Sequence, residues 1–346
     1  MASEATGPQF AVISGAQVSR ALAGDEKRVI ELVEAAYRRH GAGDTVNPPS
    51  YFLRFPDRPD ARIIALPASL GGEVDGIKWV SSFPANVEDG LPRASALLIL
   101  NDPATGYPYA CLEGSIISAA RTAASAALAA DWLSRPRPQG RPRRVGFIGT
   151  GLIARYLHTY LVANGFEFDE LATFDRSAEH AAGFGEYLSR EGHARDTRVT
   201  VHHDPQTLIT ASDLVVFATT AGQPHVHDPA LFAHNPLVLH VSLRDLAPEV
   251  ILSATNIVDD VEHCLKANTS PHLAEQLTGN RDFVDGTLPQ VLAGEVTVTY
   301  EKPVVFSPFG LGVLDLAVGQ HVHRTFADGG QLHVIDDFFH DLRRYG

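Results

Sequence analysis

Lysine occurs only four times in 346 residues, at Lys27, Lys78, Lys266 and Lys302, against 41 aspartates and glutamates, and the formal net charge is −13. Binding nucleic acid or an anionic membrane calls for clustered lysine and arginine, so the composition argues against both partners. Cysteine is as sparse: Cys111 and Cys264 stand alone, without the paired spacing of a disulfide framework or a thiolate metal site. A reducing compartment fits that usage. No apolar run approaches the roughly 18 residues that a membrane span needs, and Met1 to Gly15 lacks a basic segment followed by an apolar one. A soluble, cytoplasmic protein is expected. No internal repeat or low-complexity segment stands out.

What is present is apolar bulk, with 45% of residues hydrophobic, in a chain long enough for two domains. Val29, Leu32, Val33, Ala36 and Tyr37 recur at helical spacing before Gly41 and Gly43, predicting a surface helix. Short β-like runs follow at Tyr51–Phe55, Arg62–Leu66, Gly76–Phe83, Ser95–Leu100 and Tyr107–Leu112, separated by Pro and Gly turns, which predicts an antiparallel sheet. The alanine-rich stretch Ser118–Trp132 reads as a helix, and Pro136, Pro138 and Pro142 make Ser134–Arg144 a hinge. Strand and helix patterns then alternate, with strands at Leu171–Phe174, Val199–His202, Leu214–Ala218, Val238–Val241 and Ile257–Val258, the mark of a parallel, doubly wound sheet. Phe309–His323 is predicted to be an apolar helix, and Val334–Arg343 a last helix returning to the first domain.

The second half is organised around Gly149-Thr150-Gly151-Leu152-Ile153-Ala154, which follows the apolar run Val145–Ile148 and opens a helix. This is the order a dinucleotide-binding turn requires: one glycine for the tight turn, a second for close approach to a pyrophosphate, a small residue for helix–strand packing. Asp175 ends the next apolar run 26 residues after Gly149, near the spacing of about 20 at which a carboxylate accepts the ribose hydroxyls of NAD. Arg176 follows it and keeps NADP open.

Three cations in the first domain are candidates for holding a substrate: Arg54 in a β run, Lys78 among apolar neighbours and Arg121 on the alanine-rich helix. A buried cation needs an anion. A substrate carboxylate would serve, and so would a structural ion pair or a snorkelling side chain. Asp245, after the run Val238–Val241, stands where parallel strands deliver catalytic groups. The histidine pairs His202-His203, His225-x-His227 and His321-x-His323 lack a supporting carboxylate or cysteine pattern, so no metal is expected. Glu88-Asp89 and Asp259-Asp260 read as solvated turns.

Gly76-Ile77-Lys78, Ser82-Phe83-Pro84-x-Asn86, Gly90-Leu91-Pro92, Thr105-Gly106, Arg121-Thr122-Ala123-Ala124, the central turn and Ser307-Pro308-Phe309-Gly310-Leu311-Gly312-x-x-Asp315 occur in an order that resembles the ornithine cyclodeaminase and mu-crystallin family over nearly the whole chain. The resemblance implies a Rossmann-type NAD-binding domain over residues 122–312 and a smaller α+β domain, 1–121 with 313–346, for substrate binding and dimerisation. It implies that Arg54, Lys78 and Arg121 bind the substrate's α-carboxylate, that Asp245 and Lys78 are catalytic, and that Thr122 and Thr219 join Gly149, Thr150, Gly151, Leu152, Ile153, Asp175 and Arg176 at the cofactor.

One departure points within the family. Ornithine cyclodeaminases place a glutamate where this chain has Ala65, and the chain adds Arg93 and Arg244. The segments Pro92-Arg93-Ala94-Ser95 and Leu243-Arg244-Asp245-Leu246-x-Pro248-Glu249 look like the SbnB branch. That branch oxidises N-(1-amino-1-carboxy-2-ethyl)-glutamate with NAD to 2,3-diaminopropionate and 2-oxoglutarate for siderophore or peptide-antibiotic synthesis. The resemblance leaves open an ornithine cyclodeaminase, an amino-acid dehydrogenase or ketimine reductase of the same fold, and a non-catalytic NAD(P)H-binding protein like mu-crystallin.

Overall fold

The computed structural model describes residues 8–190 and 197–340, and the chain divides into two compact units, residues 1–121 with 311–346 and residues 122–310. Residues 1–7 of the stretch read for a targeting segment lie outside the described residues, as do residues 341–343 of the expected last helix. Before the unit boundary at Arg121 the strands are β1 (Ala11–Ile13), β2 (Tyr51–Phe55), β3 (Arg58–Ser69), β4 (Asp75–Ser82), β5 (Ala94–Asn101) and β6 (Pro108–Glu113). Beyond it come β7 (Arg144–Ile148), β8 (Glu170–Phe174), β9 (Arg198–Val201), β10 (Leu214–Phe217), β11 (Leu237–His240), β12 (Thr255–Val258), β13 (Val284–Thr287), β14 (Val304–Ser307) and β15 (His333–Val334).

In the first unit the sheet order is β15-β1-β6-β5-β4-β3-β2, antiparallel except that β1 runs parallel to β6. Direct partners share a face, so pairing sorts side chains by parity: Lys78 stands with Leu66 and Leu98, Trp79 with Ala65 and Leu97. The even-numbered face is covered by the helix Gly312–Asp328, which lies so close that a Cβ on Gly76 would stand 2.8 Å from Leu316 Cδ2. The odd-numbered face keeps Val12, Tyr51, Leu53, Trp79 and Leu97 exposed. Glu26–Gly41 forms the expected amphipathic helix and buries Val29, Ile30, Val33, Ala36 and Tyr37.

Val334–Arg343 is not a helix over its described part. Residues His333–Val334 pair with β1, Ile335 N donates to Phe10 O at 2.8 Å, and Asp337 takes a positive φ of 53°. Phe338 stacks on Phe10 with centroids 3.8 Å apart, and Phe339 meets Tyr107 edge-on. An open sheet edge and aromatic packing there override the helical spacing.

The second unit is a parallel sheet of order β13-β12-β14-β11-β10-β7-β8-β9. The strands wind outward from β7 through β8 and β9, then on its other side through β10 and β11, so the order switches between β7 and β10. Leu214–Phe217, Leu237–His240 and Val304–Ser307 are buried along their whole length, as strands covered on both faces must be. Leu152–Ala163 and Ala178–Arg190 are the helices after β7 and β8.

Candidate functional site

The turn after β7 is tied to both neighbouring strands. Gly149 N donates to Phe174 O, and Ala218 N donates to Ile148 O, each at 2.9 Å. Gly149 has φ +87°, and a Cβ there would lie 2.6 Å from Ala218 O, so only glycine fits. Gly151 has open space at its Cβ position and precedes the helix Leu152–Ala163, whose first turn has no side-chain cap. Its free N–H groups and positive dipole end suit a pyrophosphate. Asp175 accepts from Thr150 N and Thr150 Oγ1 at 3.0 Å and from Ser177 N at 3.0 Å. Burial pushes its carboxyl up, but these bonds outweigh burial and hold it below the usual range. Leu152 and Arg176 are exposed beside this turn and Ile153 is half-buried. These residues fit a dinucleotide: a cradle that a Cβ would fill, an uncapped helix start and an ionised acceptor for ribose.

Asp245 lies just past β11, fully buried. Its Oδ1 accepts from Thr219 Oγ1 and, at 3.0 Å, from His225 Nε2, while Oδ2 accepts from Ser242 Oγ. The Thr219–His225 loop follows β10 and docks by backbone: His225 N and Val226 N donate to Asp245 O at 2.9 and 3.0 Å. His240 Nε2 lies 3.3 Å from Asp245 N and 3.4 Å from Oδ2. One ring nitrogen cannot accept the first and donate to the second, and the N–H has no other role, so Nε2 accepts it and the Nδ1 proton faces Ser307 Oγ at 3.2 Å. Burial alone would raise the Asp245 carboxyl, yet the hydrogen bonds, led by that of His225, hold it far below the usual range. Because Thr219 follows Ala218, this cluster abuts the nucleotide turn at the switch point of the sheet, where open α/β sheets bind ligands.

In the first unit, Lys78 is 3% exposed and Arg121 is 9% exposed, and one carboxylate answers both. Lys78 Nζ donates to Asp315 Oδ2 at 2.7 Å and Arg121 Nε to Asp315 Oδ1 at 3.2 Å; Ser118 Oγ lies 3.3 Å from Nζ. Burial, reinforced by the Arg121 guanidinium, pushes the Lys78 amine down to about 8 against the pull of Asp315. A second group of cations gathers at Ser82 on the same face, where Arg93 Nη1 donates to Ser82 Oγ at 2.9 Å. Arg62 lies directly across from Ser82, and Arg54 directly across from Arg62. Arg54 is exposed and leans over the Phe52 ring. Desolvation holds Arg93 below the ordinary guanidinium value.

Several expectations change. Ala65 stands on the odd-numbered face with Trp79, opposite to Lys78, so its lack of a carboxylate says nothing about the far end of a substrate. Arg244 donates to Asn268 O at 3.0 Å and to Ala267 O at 2.6 Å, pinning a turn in which both residues have positive φ. Asp259 is no solvated turn. It is fully buried and accepts from Phe309 N at 2.9 Å and Gly310 N at 2.6 Å, fixing the segment after β14; burial raises its carboxyl. Thr122 is half-buried on the helix Ser115–Ser134. Asp315, His225, His240 and Ser242 were not singled out by sequence as site residues, although Asp315 ends the Ser307–Asp315 motif and His240 and Ser242 lie in the run to Asp245. Among the described residues no group of three His, Cys, Asp or Glu could hold a metal ion, and no helix is long and apolar enough to cross a membrane.

A sequence model of the ornithine cyclodeaminase/mu-crystallin family matches residues 12–330. The alanine dehydrogenase of Archaeoglobus fulgidus is 29% identical over 328 residues, 91% of this chain and 94% of that protein. The N-((2S)-2-amino-2-carboxyethyl)-L-glutamate dehydrogenase of Staphylococcus aureus is 25% identical over 305 residues, 85% of this chain and 89% of its own length. A solved archaeal alanine dehydrogenase dimer with bound NAD superposes with a TM-score of 0.83 at 26% identity, over 95% of this chain and all of that one.

Proposed function

The chain belongs to the ornithine cyclodeaminase/mu-crystallin family, and from that premise we propose that it oxidises N-(1-amino-1-carboxy-2-ethyl)-glutamate to 2,3-diaminopropionate and 2-oxoglutarate. It is an NAD-dependent dehydrogenase acting on a CH–NH bond, as its relatives are. The observation that carries the finer reading is the presence of two cation groups at one sheet face, Lys78 and Arg121 at Asp315 and Arg93 at Ser82. A simple amino acid has one carboxylate and leaves one group unanswered; the glutamate conjugate has several. The relative from Staphylococcus aureus supports the same substrate.

Gly149, Thr150, Gly151, Leu152, Ile153 and Asp175 hold the dinucleotide, with Thr122, Arg176 and Thr219 beside it. Bound NAD supplies the hydride acceptor for the glutamate α-carbon. Lys78, Arg121 and Arg54 hold the α-carboxylate and so fix that carbon's orientation, the source of most of the acceleration. Arg93 takes a further carboxylate, and Arg244, bonded to the Asn268 and Ala267 carbonyls, keeps to its turn. Asp245 and the groups bonded to it manage the protons as water adds to the imine and the amine leaves, worth about 10²–10⁴-fold. The exposed apolar face of Tyr51, Leu53, Trp79 and Leu97 pairs two copies into a homodimer. The diamino acid produced would feed siderophore or peptide-antibiotic synthesis in the cytoplasm.

The 29% identity to an alanine dehydrogenase favours a second reading, oxidation of a simple amino acid. One assay separates them: purified protein, NAD and either the glutamate conjugate, alanine or ornithine. NADH and 2-oxoglutarate from the conjugate are expected; turnover of alanine or ornithine without it overturns the proposal.

A further inference from the structure

Asp245 has no exposed surface, and its carboxylate oxygens already accept from Thr219, His225 and Ser242. A group so enclosed cannot itself touch a substrate. His225 can. Its side chain is 37% exposed, and it stands on the loop after β10, whose first residue, Thr219, lies against the dinucleotide turn. A carboxylate only accepts, so in the uncharged ring the proton sits on Nε2, toward Asp245 Oδ1. That leaves the Nδ1 lone pair free: among the described residues Nδ1 makes no hydrogen bond. The ring is also held in place. The edge of Phe217 meets it at 6.5 Å between centroids, and the backbone of His225 and Val226 is bonded to Asp245 O. A fixed tautomer, a buried anion behind it and an outward lone pair form the pairing by which an aspartate makes a histidine a proton carrier.

We infer that His225 is the catalytic acid–base residue of this enzyme and that Asp245 is a positioning residue acting through it. The inference rests on the dehydrogenase reading above and names the group that performs its proton steps. As water attacks the carbon of the protonated imine that hydride loss leaves, the new C–O bond forms, the C=N π pair moves to nitrogen and neutralises it, and His225 Nδ1 takes a proton from the water. In the collapse of the carbinolamine, His225 returns its proton to the amine nitrogen, the C–N bond breaks with its pair going to nitrogen, the O–H pair of the hydroxyl becomes the second C–O bond of the ketone, and the hydroxyl proton passes to solvent water. Protons and electrons balance, and Asp245 stays ionised throughout, stabilising the imidazolium that forms between the two steps.

Wild-type turnover of the conjugate is measured first and decides the function itself. Against that activity, His225→Ala and His225→Gln should each lower kcat by about 10²–10⁴-fold with KM and NAD affinity, read by NADH fluorescence, within about threefold of wild type. The glutamine variant keeps an N–H donor toward Asp245 and so guards against loss of fold. Added imidazole should restore His225→Ala at least about tenfold, within the share that a general base supplies, and should leave Asp245→Asn unrescued. Near-wild-type kcat in His225→Gln, or a folded, NAD-binding His225→Ala that imidazole does not restore, overturns the assignment.

Discussion

Lys78 Nζ and Asp315 Oδ2 are 2.7 Å apart, although the residues stand 237 positions apart in the chain. Asp315 rides on the helix Gly312–Asp328, and the close approach of that helix to Gly76 sets the carboxylate against β4. With Arg121 on its other oxygen, one anion balances two buried cations. Under the proposed function, the surplus positive charge takes the substrate carboxylate.

Asp315→Asn should therefore be among the most damaging conservative changes in the first unit. It keeps the shape and leaves two cations buried without an anion, a situation that costs about 3–5 kcal/mol when a buried pair is broken. Denaturant unfolding monitored by circular dichroism measures it; a loss below about 1 kcal/mol, the scale of an exposed pair, would remove the ion triad from the account of stability.

Carboxylate affinity should depend on pH through Lys78. The amine is charged below about 8 and loses its proton above, so the dissociation constant for 2-oxoglutarate should be flat at lower pH and rise about tenfold per unit above it. The same depression acts on stability with a definite sign. Between about 8 and the ordinary 10.5 the unfolded chain binds more protons than the folded one, so the Lys78 contribution to stability rises with pH across that window. Calorimetric titration of wild type beside Lys78→Arg, whose charge persists, checks the first expectation, and melting temperatures over the same range check the second.

Asp175→Ser should move the nucleotide preference. The carboxylate repels a 2′-phosphate, and Arg176 is already exposed next to it. The ratio of kcat/KM for NADP over NAD should rise by about tenfold or more, the equivalent of about 1.4 kcal/mol; an unchanged ratio would detach Asp175 from the ribose.

Trp79→Glu should halve the mass in solution. The ring is 42% exposed on a sheet face shared with Tyr51, Leu53 and Leu97, and a charge there would be desolvated on pairing. Light scattering on both proteins reads the outcome, and a wild-type monomer would remove the dimer from the proposal.

How much of this was legible depended on distance along the chain. The strand–turn–helix of Gly149 to Ala154 and its acidic residue Asp175 are local, and local spacing exposed them. In the sequence Asp315 is only the end of a motif, because nothing nearby says that Lys78 is its partner. His225 looked like one member of a surface pair; its part depends on how the Thr219–His225 loop docks on Asp245 O, a contact between residues 20 positions apart. Asp259 resembled a turn until the parallel sheet buried it beneath the Phe309 and Gly310 amides. The helical spacing of Val334–Arg343 lost to strand pairing, since an open edge offers backbone partners that periodicity does not register.

The parity of the first sheet carries a consequence for how this protein can change. Because Lys78 and Trp79 are neighbours in sequence and opposites in space, losing or gaining a single residue within β4 would exchange the side chains of the Lys78 face for the apolar patch along the rest of the strand. Substitutions can retune either face independently, whereas a one-residue insertion or deletion damages both at once. Length variation should therefore collect in the turns around Gly71, Gly90 and Gly106, and the strands between them should diverge in composition while keeping their residue count.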